Sequence, residues 1–158
     1  MTTTEELRQQ AEDLGAEVMK WRFESERIKG LYCDGTIALS DRLNSTAEEA
    51  AILAEEIGHH LTASGNILDQ TNIESRKQEI RGRVWSYDRL IGLSGLISAF
   101  DAGCTNRFEI ADFLGVPEDV LQDAINYYHG KYGLYCSVGH YIVFFEPLRV
   151  IYRDGGAE

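Results

Sequence analysis

The order of polar and hydrophobic positions indicates two long helices. Ser45 and Thr46 each have a glutamate three residues later, a pairing that caps helix starts, so we expect a helix from near Ser45 to near Thr62. Further along, apolar residues three or four apart form one stripe, which predicts a second helix from about Glu74 to Ile91. The stripe consists of Ile80, Val84, Tyr87 and Ile91.

Shorter patterns predict the remaining elements. Residues Leu7, Ala11 and Leu14 lie at helical spacing before Gly15, which predicts a short first helix closed by that glycine. Alternating apolar residues predict a strand within 17–23. Further elements are expected as a hairpin of 31–33 and 36–39 about Asp34-Gly35, an apolar helix or turn at 93–100, two short helices between 107 and 128 with Gly115 in the turn and Pro117 at the first helical position of the second, a hairpin of 134–137 and 141–145, and a last strand including 150–152.

This mixture of helices and strands predicts the α+β class. A chain of 158 residues is large enough to bury a core without disulfides. We therefore expect a single domain over residues 1–158. Its core is expected at about 17–100, followed by a helical and hairpin part at about 101–152.

The chain is acidic, with 26 Asp and Glu against 15 Lys and Arg and a net charge of −11. Because phosphate backbones are bound through cationic contacts, this charge disfavours direct nucleic-acid binding. The two short helices resemble a DNA-reading pair, but residues 107–126 carry five acids and one base, which makes major-groove contact improbable. An acidic body suits a basic protein partner or serves solubility alone.

The same residues bear on the compartment. No run of 18 apolar residues exists and the N-terminal residues lack a basic start followed by an apolar run, so we expect neither a membrane span nor a secretory signal. The three cysteines, Cys33, Cys104 and Cys136, are widely spaced and form no C-x-x-C pair, which favours reduced thiols. Together these features predict a cytoplasmic protein.

The strongest candidate for chemistry lies in the first long helix. Residues four apart share a helix face, so Glu55 and His59 are expected side by side, with Glu56 one step round. This is the layout of the metalloprotease helix H-E-x-x-H with its first His replaced by Glu. Such a helix needs two ligands one turn apart and a neighbouring carboxylate that accepts a proton from water. Glu55 and His59 fit the ligand roles and Glu56 fits the role of general base.

Other interpretations of this segment stay open. Acidic residues with a histidine four positions later often form only a solvated helix face. Glu56 and His60 are also four apart and would make a second ligand pair. We prefer Glu55 and His59, because only then does a carboxylate follow the first ligand as in H-E-x-x-H. Gly58 costs roughly 1 kcal/mol relative to alanine in a helix interior, which suggests that another backbone or a ligand comes close, or that packing alone requires it.

Segments on either side of this helix extend the likeness. With residues 30–39, 54–62 and 77–79, the chain resembles the ImmA/IrrE family of small intracellular metallopeptidases over roughly Glu17 to Tyr152. The likeness is to the short versions carried by prophages and integrative elements of Gram-positive bacteria. Glu55 departs from the family pattern, since many members have His there.

The resemblance implies a zincin-like small metallopeptidase, in which the active-site helix packs against a small antiparallel sheet and further helices and a hairpin follow. It also implies a third metal ligand on the following helix, where Glu79 is the matching residue. A carboxylate beside an apolar stripe is costly unless it is paired or binds a cation, which favours Glu79 over Glu74; a salt bridge to a nearby arginine is the alternative. Asp69 is a candidate partner for a ligand histidine.

The function implied is that of an intracellular metal-dependent endopeptidase that cleaves or inactivates the helix-turn-helix repressor of a phage or mobile element. Zn²⁺ is the expected ion, and a ligand set of two carboxylates and one imidazole should also accept Mn²⁺ or Fe²⁺. The hairpin strand beside the helix either pairs with an extended substrate or only supports the core. The alternative function is a non-catalytic antirepressor that binds the repressor stoichiometrically.

Overall fold

The computed structural model describes residues 2–62 and 73–154, which form six helices and six strands. The α+β class is therefore as predicted, and the candidate Asp69 lies outside the described residues. In chain order the elements are α1 (Thr3–Asp13), β1 (Glu17–Trp21), β2 (Gly30–Cys33), β3 (Thr36–Ser40), α2 (Thr46–Thr62), α3 (Ile73–Leu90), α4 (Gly92–Asp101), α5 (Arg107–Leu114), α6 (Glu118–Tyr132), β4 (Tyr135–Val138), β5 (Tyr141–Phe145) and β6 (Leu148–Tyr152).

The chain divides into two compact units, Met1–Arg89 (unit 1) and Leu90–Glu158 (unit 2). The single domain expected from chain length stays a prediction. Among the described residues, no helix combines the length and the apolar character that crossing a membrane would require.

The sheet of unit 1 contains the predicted hairpin. Strands β2 and β3 are antiparallel, and the two turn residues, Asp34 and Gly35, have φ of 49° and 82°. Two consecutive residues with positive φ define the type I′ turn that an Asp-Gly pair favours, because this turn matches the twist of the strands. Strand β3 is central in the sheet, and its Ile37 and Leu39 are fully buried.

The expectation that this sheet is antiparallel throughout is wrong. Its strand order is β1-β3-β2, and β1 runs parallel to β3. The connection formed by residues 22–29 leaves room for one strand beside β1 and places β2 at the far edge of the sheet. The hairpin then returns as β3, which lies between β1 and β2. Alternation of apolar residues predicts a strand but not its neighbour, which is why the sequence pattern missed this order.

Helices α1 and α2 start and end much as predicted. The hydroxyl of Ser45 accepts a hydrogen bond from the backbone N–H of Glu48, 3.1 Å away, which is a helix-capping contact. Gly15, with φ of 85°, follows the end of α1, and Leu7 and Ala11 are fully buried. The third member of that apolar stripe, Leu14, is instead 38% exposed at the helix end.

Helix α3 is confirmed, but its predicted buried stripe is wrong at Ile80, which is 59% exposed. The buried positions include Gln78, Gly82 and Ser86, which are four residues apart on one face. Gln78 and Ser86 are polar and Gly82 has no side chain. At Gly82 this face of α3 lies close to the backbone of α2. Hydrophobic periodicity does not detect a face made of small and polar residues.

Unit 2 contains helices α4, α5 and α6 and an antiparallel sheet of order β4-β5-β6. The predicted hairpin, last strand and pair of short helices are all confirmed, with Asn106 capping α5 through the backbone N–H of Glu109. Gly115 ends α5 in the left-handed conformation, with φ of 71°. Pro117, which was predicted as the first helical residue, is instead the N-cap of α6, and the helix begins at Glu118.

Candidate metal centre

The three predicted ligands come together in unit 1. Glu55 and His59 lie one turn apart on α2, and Glu79 lies on α3. One donor atom from each residue lies within 4.8 Å of the others. Ligand atoms bound tetrahedrally to one Zn²⁺ ion are about 3.4 Å apart, given bond lengths near 2.1 Å. The three donor atoms would therefore have to approach one another by about 1.4 Å at most to bind one ion.

Two glycines bring the helices that carry these ligands close together. A Cβ atom added to Gly58 would overlap the carbonyl oxygen of Gly82, and one added to Gly82 would overlap Cδ2 of His59. The backbones of α2 and α3 are thus in direct contact at this point. Of the alternatives left open for Gly58, the close approach of another backbone is the one observed, and the contact explains how Glu79 reaches His59.

His59 is the centre of the group and is only 6% exposed. Its Nδ1–H donates to Oε2 of Glu56 at 3.3 Å. Its Nε2 lies 3.1 Å from Oε2 of Glu79, but the two atoms are not aligned for a hydrogen bond, and Nε2 has no hydrogen-bond partner among the described residues. A buried nitrogen left in this way costs about 1–3 kcal/mol, which ligation of a cation would offset.

The electrostatics of the group also favour a cation. Burial lowers the pKa of His59, but the hydrogen bond to Glu56 and the charges of Glu56, Glu79 and Glu55 outweigh it and raise the pKa overall. For the Glu55 carboxyl, in contrast, burial raises the pKa. The charge of Arg83, whose Nη2 lies 3.9 Å from Oε1 of Glu55, opposes this rise only in part. Three carboxylates around one imidazole carry more negative charge than Arg83 balances. A divalent ion would supply the missing positive charge.

The alternative ligand pair, Glu56 with His60, is disfavoured by the partners of His60. Its Nε2 donates to the carbonyl oxygen of Leu14 at 2.8 Å, and its Nδ1 lies 2.8 Å from the hydroxyl of Tyr32. A carbonyl only accepts, so Nε2 carries the proton and a neutral ring accepts the Tyr32 hydroxyl at Nδ1. Both ring nitrogens are therefore engaged, and His60 has none left for a metal.

This contact of His60 yields a stability prediction. Tyr32→Phe removes the hydroxyl that joins His60 to the backbone N–H of Gly35, which donates to it at 3.1 Å. We expect the free energy of unfolding to fall by about 1 kcal/mol, measured by urea titration. The exposed Tyr135 is the matched control, since Tyr135→Phe should change stability little. Equal losses from both substitutions would contradict the contact.

Glu56 is buried, and its side chain lies between His59 and strand β2. While its Oε2 accepts from His59, its side chain passes Gly30, where an added Cβ would lie 3.3 Å from Cγ and 3.5 Å from Oε1 of Glu56. The predicted general base therefore has one oxygen hydrogen-bonded to His59 and the other on the side of β2. A carboxylate can serve both positions at once, because each oxygen accepts independently.

Strand β2 lies at an edge of its sheet. The carbonyl oxygen of Lys29 accepts from the backbone N–H of Ser40 at 2.9 Å, so residues 29, 31 and 33 face β3 and the residues between them face outward. The backbone groups of Gly30 and Tyr32 thus point to the free edge. Because Gly30 lies next to Glu56, this free edge of β2 is close to the candidate metal centre.

Compared with models of protein families, with curated proteins and with solved structures, the chain has no match. The resemblance to the ImmA/IrrE metallopeptidases consequently stays a prediction, as do the zincin-like fold and the roles it implies. Sequence reasoning missed the partners of His60, because Leu14 and Tyr32 are 46 and 28 residues away and carry no motif.

Proposed function

We propose that unit 1 binds one divalent metal ion through Glu55, His59 and Glu79. The observation that carries this proposal is the buried Nε2 of His59, which faces a carboxylate without a hydrogen bond. Two carboxylates and one imidazole form a ligand set suited to Zn²⁺, and the oxygen donors also suit Mn²⁺ or Fe²⁺. Three protein ligands are typical of catalytic rather than structural zinc sites.

We further propose that the protein is a zincin-like metal-dependent endopeptidase. When bound, the ion supplies Lewis acidity, which acidifies water and polarises a carbonyl group. Glu56 accepts the proton of the attacking water at the oxygen on the β2 side and delivers it to the leaving amine. Its other oxygen accepts a hydrogen bond from Nδ1–H of His59. This bond keeps the proton of the neutral ring on Nδ1, so Nε2 is available as a ligand.

The free edge of β2 supports a role for this strand in holding the peptide. An extended segment that pairs with the backbone groups of Gly30 and Tyr32 adds a strand to the sheet. Because Gly30 lies beside Glu56, a peptide bond held there is near the proton acceptor. The resemblance supplies the proposed target, a helix-turn-helix repressor of a phage or mobile element. The net charge of −11 suits such a basic partner.

Metal binding is tested by titrating the metal-free protein with Zn²⁺ and by elemental analysis of the dialysed complex. We expect about one ion per chain, and His59→Ala and Glu79→Gln should each weaken binding at least about 100-fold, beyond the 10–100-fold typical of a residue that only supports a ligand. The control is Glu49→Gln on the same helix, whose carboxylate instead lies near Arg8 and Lys20. Equal affinity in all variants would overturn the proposed centre.

A further inference from the structure

Unit 2 contains a groove of about 940 Å³ that is separate from the residues of the metal group. One side of the groove follows all of β6, which is an edge strand in the order β4-β5-β6. The other sides come from α4, α5 and α6. Five residues of strand span about 17 Å, so the groove is long enough for an extended peptide of similar length.

The backbone groups of β6 alternate between its neighbour and the groove. The N–H of Phe145 on β5 donates to the carbonyl oxygen of Leu134, on the β4 side, at 3.3 Å. The backbone N–H and C=O of the adjacent residue, Phe144, therefore face β6. At the far end of the same ladder, the N–H of Arg153 donates to the carbonyl oxygen of His140 at 2.6 Å. Both contacts fix the same alternation.

It follows that Arg149 and Ile151 exchange backbone hydrogen bonds with β5, whereas Leu148, Val150 and Tyr152 face away from it. The outward row lines the groove and has no strand partner among the described residues. A row of unpaired backbone donors and acceptors is a template for another strand.

The groove is lined by buried apolar side chains and by two arginines. Leu96, Ile125 and Phe145 are buried and contribute apolar surface. Unit 2 is acidic, yet Arg107 and Arg149 both line the groove, and Glu146 is the single carboxylate of the described residues that does so.

The two arginines differ in their partners. Nε of Arg107 donates to Oε2 of Glu118 at 2.9 Å and its Nη1 donates to Gln122 at 2.5 Å. In contrast, within residues 2–62 and 73–154 no carboxylate pairs with Arg149, which is exposed. A cation without a partner, beside an apolar surface, is complementary to a carboxylate flanked by apolar groups.

We propose that the groove binds an extended peptide segment, which adds a fourth strand beside β6 and carries an acidic side chain between apolar ones. The acid pairs with Arg149 on one face of the new strand, and the apolar side chains lie on the face of Leu148 and Val150, since strand side chains alternate. A second copy of this chain is a poorer occupant, because two bodies of net charge −11 repel each other. This site is independent of the metal centre.

A random heptapeptide library displayed on phage and selected on the full chain tests the proposal. Enriched peptides should carry an Asp or Glu with an apolar residue on either side of it. In fluorescence anisotropy, Arg149→Glu should weaken their binding at least about tenfold, and Arg153→Glu, an exposed neighbour outside the groove, should change it less than about twofold. Failure to enrich peptides, or equal affinity for both variants, would overturn the proposal.

Backbone pairing is tested separately from side-chain binding. Peptide binding should slow amide hydrogen exchange at Leu148, Val150 and Tyr152, and N-methylation at every second peptide position should abolish binding while the intervening positions tolerate it. Uniform tolerance, as for an anionic amphiphile held by its carboxylate, would overturn strand addition. Binding should persist in His59→Ala and in EDTA, so failure of the proposed metal centre and failure of this site are distinguishable.

Discussion

Glu56→Gln should abolish peptide cleavage while leaving the metal centre intact. The amide oxygen of glutamine still accepts the hydrogen bond from Nδ1–H of His59, so the ligand keeps its orientation. Glutamine does not accept a proton, however, and loss of a general base lowers the rate by about 10²–10⁴-fold. The measurement is the number of new peptide termini in a proteome-derived peptide library incubated with Zn²⁺-loaded protein, alongside the metal content of the variant.

The control for this variant is again Glu49→Gln, which should cleave like the unaltered chain. Undiminished cleavage by Glu56→Gln with bound Zn²⁺ would contradict the role of Glu56 as base. A different outcome separates the two predicted functions: if a repressor is bound and inactivated but stays intact with both proteins, the stoichiometric antirepressor is favoured over the endopeptidase.

Gly82→Ala should destabilise unit 1 and weaken metal binding together. Its new methyl group would overlap Cδ2 of His59 and lie 3.1 Å from the backbone nitrogen of the same residue, so α3 must move away from α2. Overpacking of this kind costs about 1–3 kcal/mol. Because α3 carries Glu79, the shift also separates two proposed ligands. Urea titration of the metal-free protein and Zn²⁺ titration measure the two effects.

Gly130 on α6 is the matched control, because it is also a helical glycine but, beyond its own stretch of helix, no atom of the described residues lies within 4 Å of a Cβ added there. Gly130→Ala should therefore stabilise the protein by roughly 0.5–1 kcal/mol through helix propensity alone. The contrast in sign isolates the contact between the helices. Stabilisation by both substitutions would show that α2 and α3 are not held together at Gly58 and Gly82.

Local signals predicted local structure well. The glutamates after Ser45 and Thr46, the Asp34-Gly35 pair and Gly115 each act within a few residues, and the helix start, hairpin turn and helix end are where they indicate. The neighbour of β1 and the buried face of α3 depend instead on residues far along the chain. Ile80 looked buried because periodicity assumes an apolar contact face, whereas the actual face contacts a backbone.

The residues of the candidate site also differ in whether a local sequence signal predicted their position. Helical spacing alone paired Glu55 with His59, and the structure confirms that they share a face. Glu79, twenty residues later, was selected through the family resemblance, and its position near His59 requires the glycine contact between helices. The orphan nitrogen of His59 has no sequence signal, since it depends on which neighbouring donors and acceptors are absent.

The shortness of β2 has a consequence for substrate choice. Only Gly30 and Tyr32 present outward backbone groups, so a peptide laid along this strand gains few hydrogen bonds, each contributing about 0.5–1.5 kcal/mol. Such weak anchoring discriminates poorly among short peptides. An endopeptidase built on it would cleave many short peptides slowly, and would gain its preference for one protein from contacts outside the paired segment.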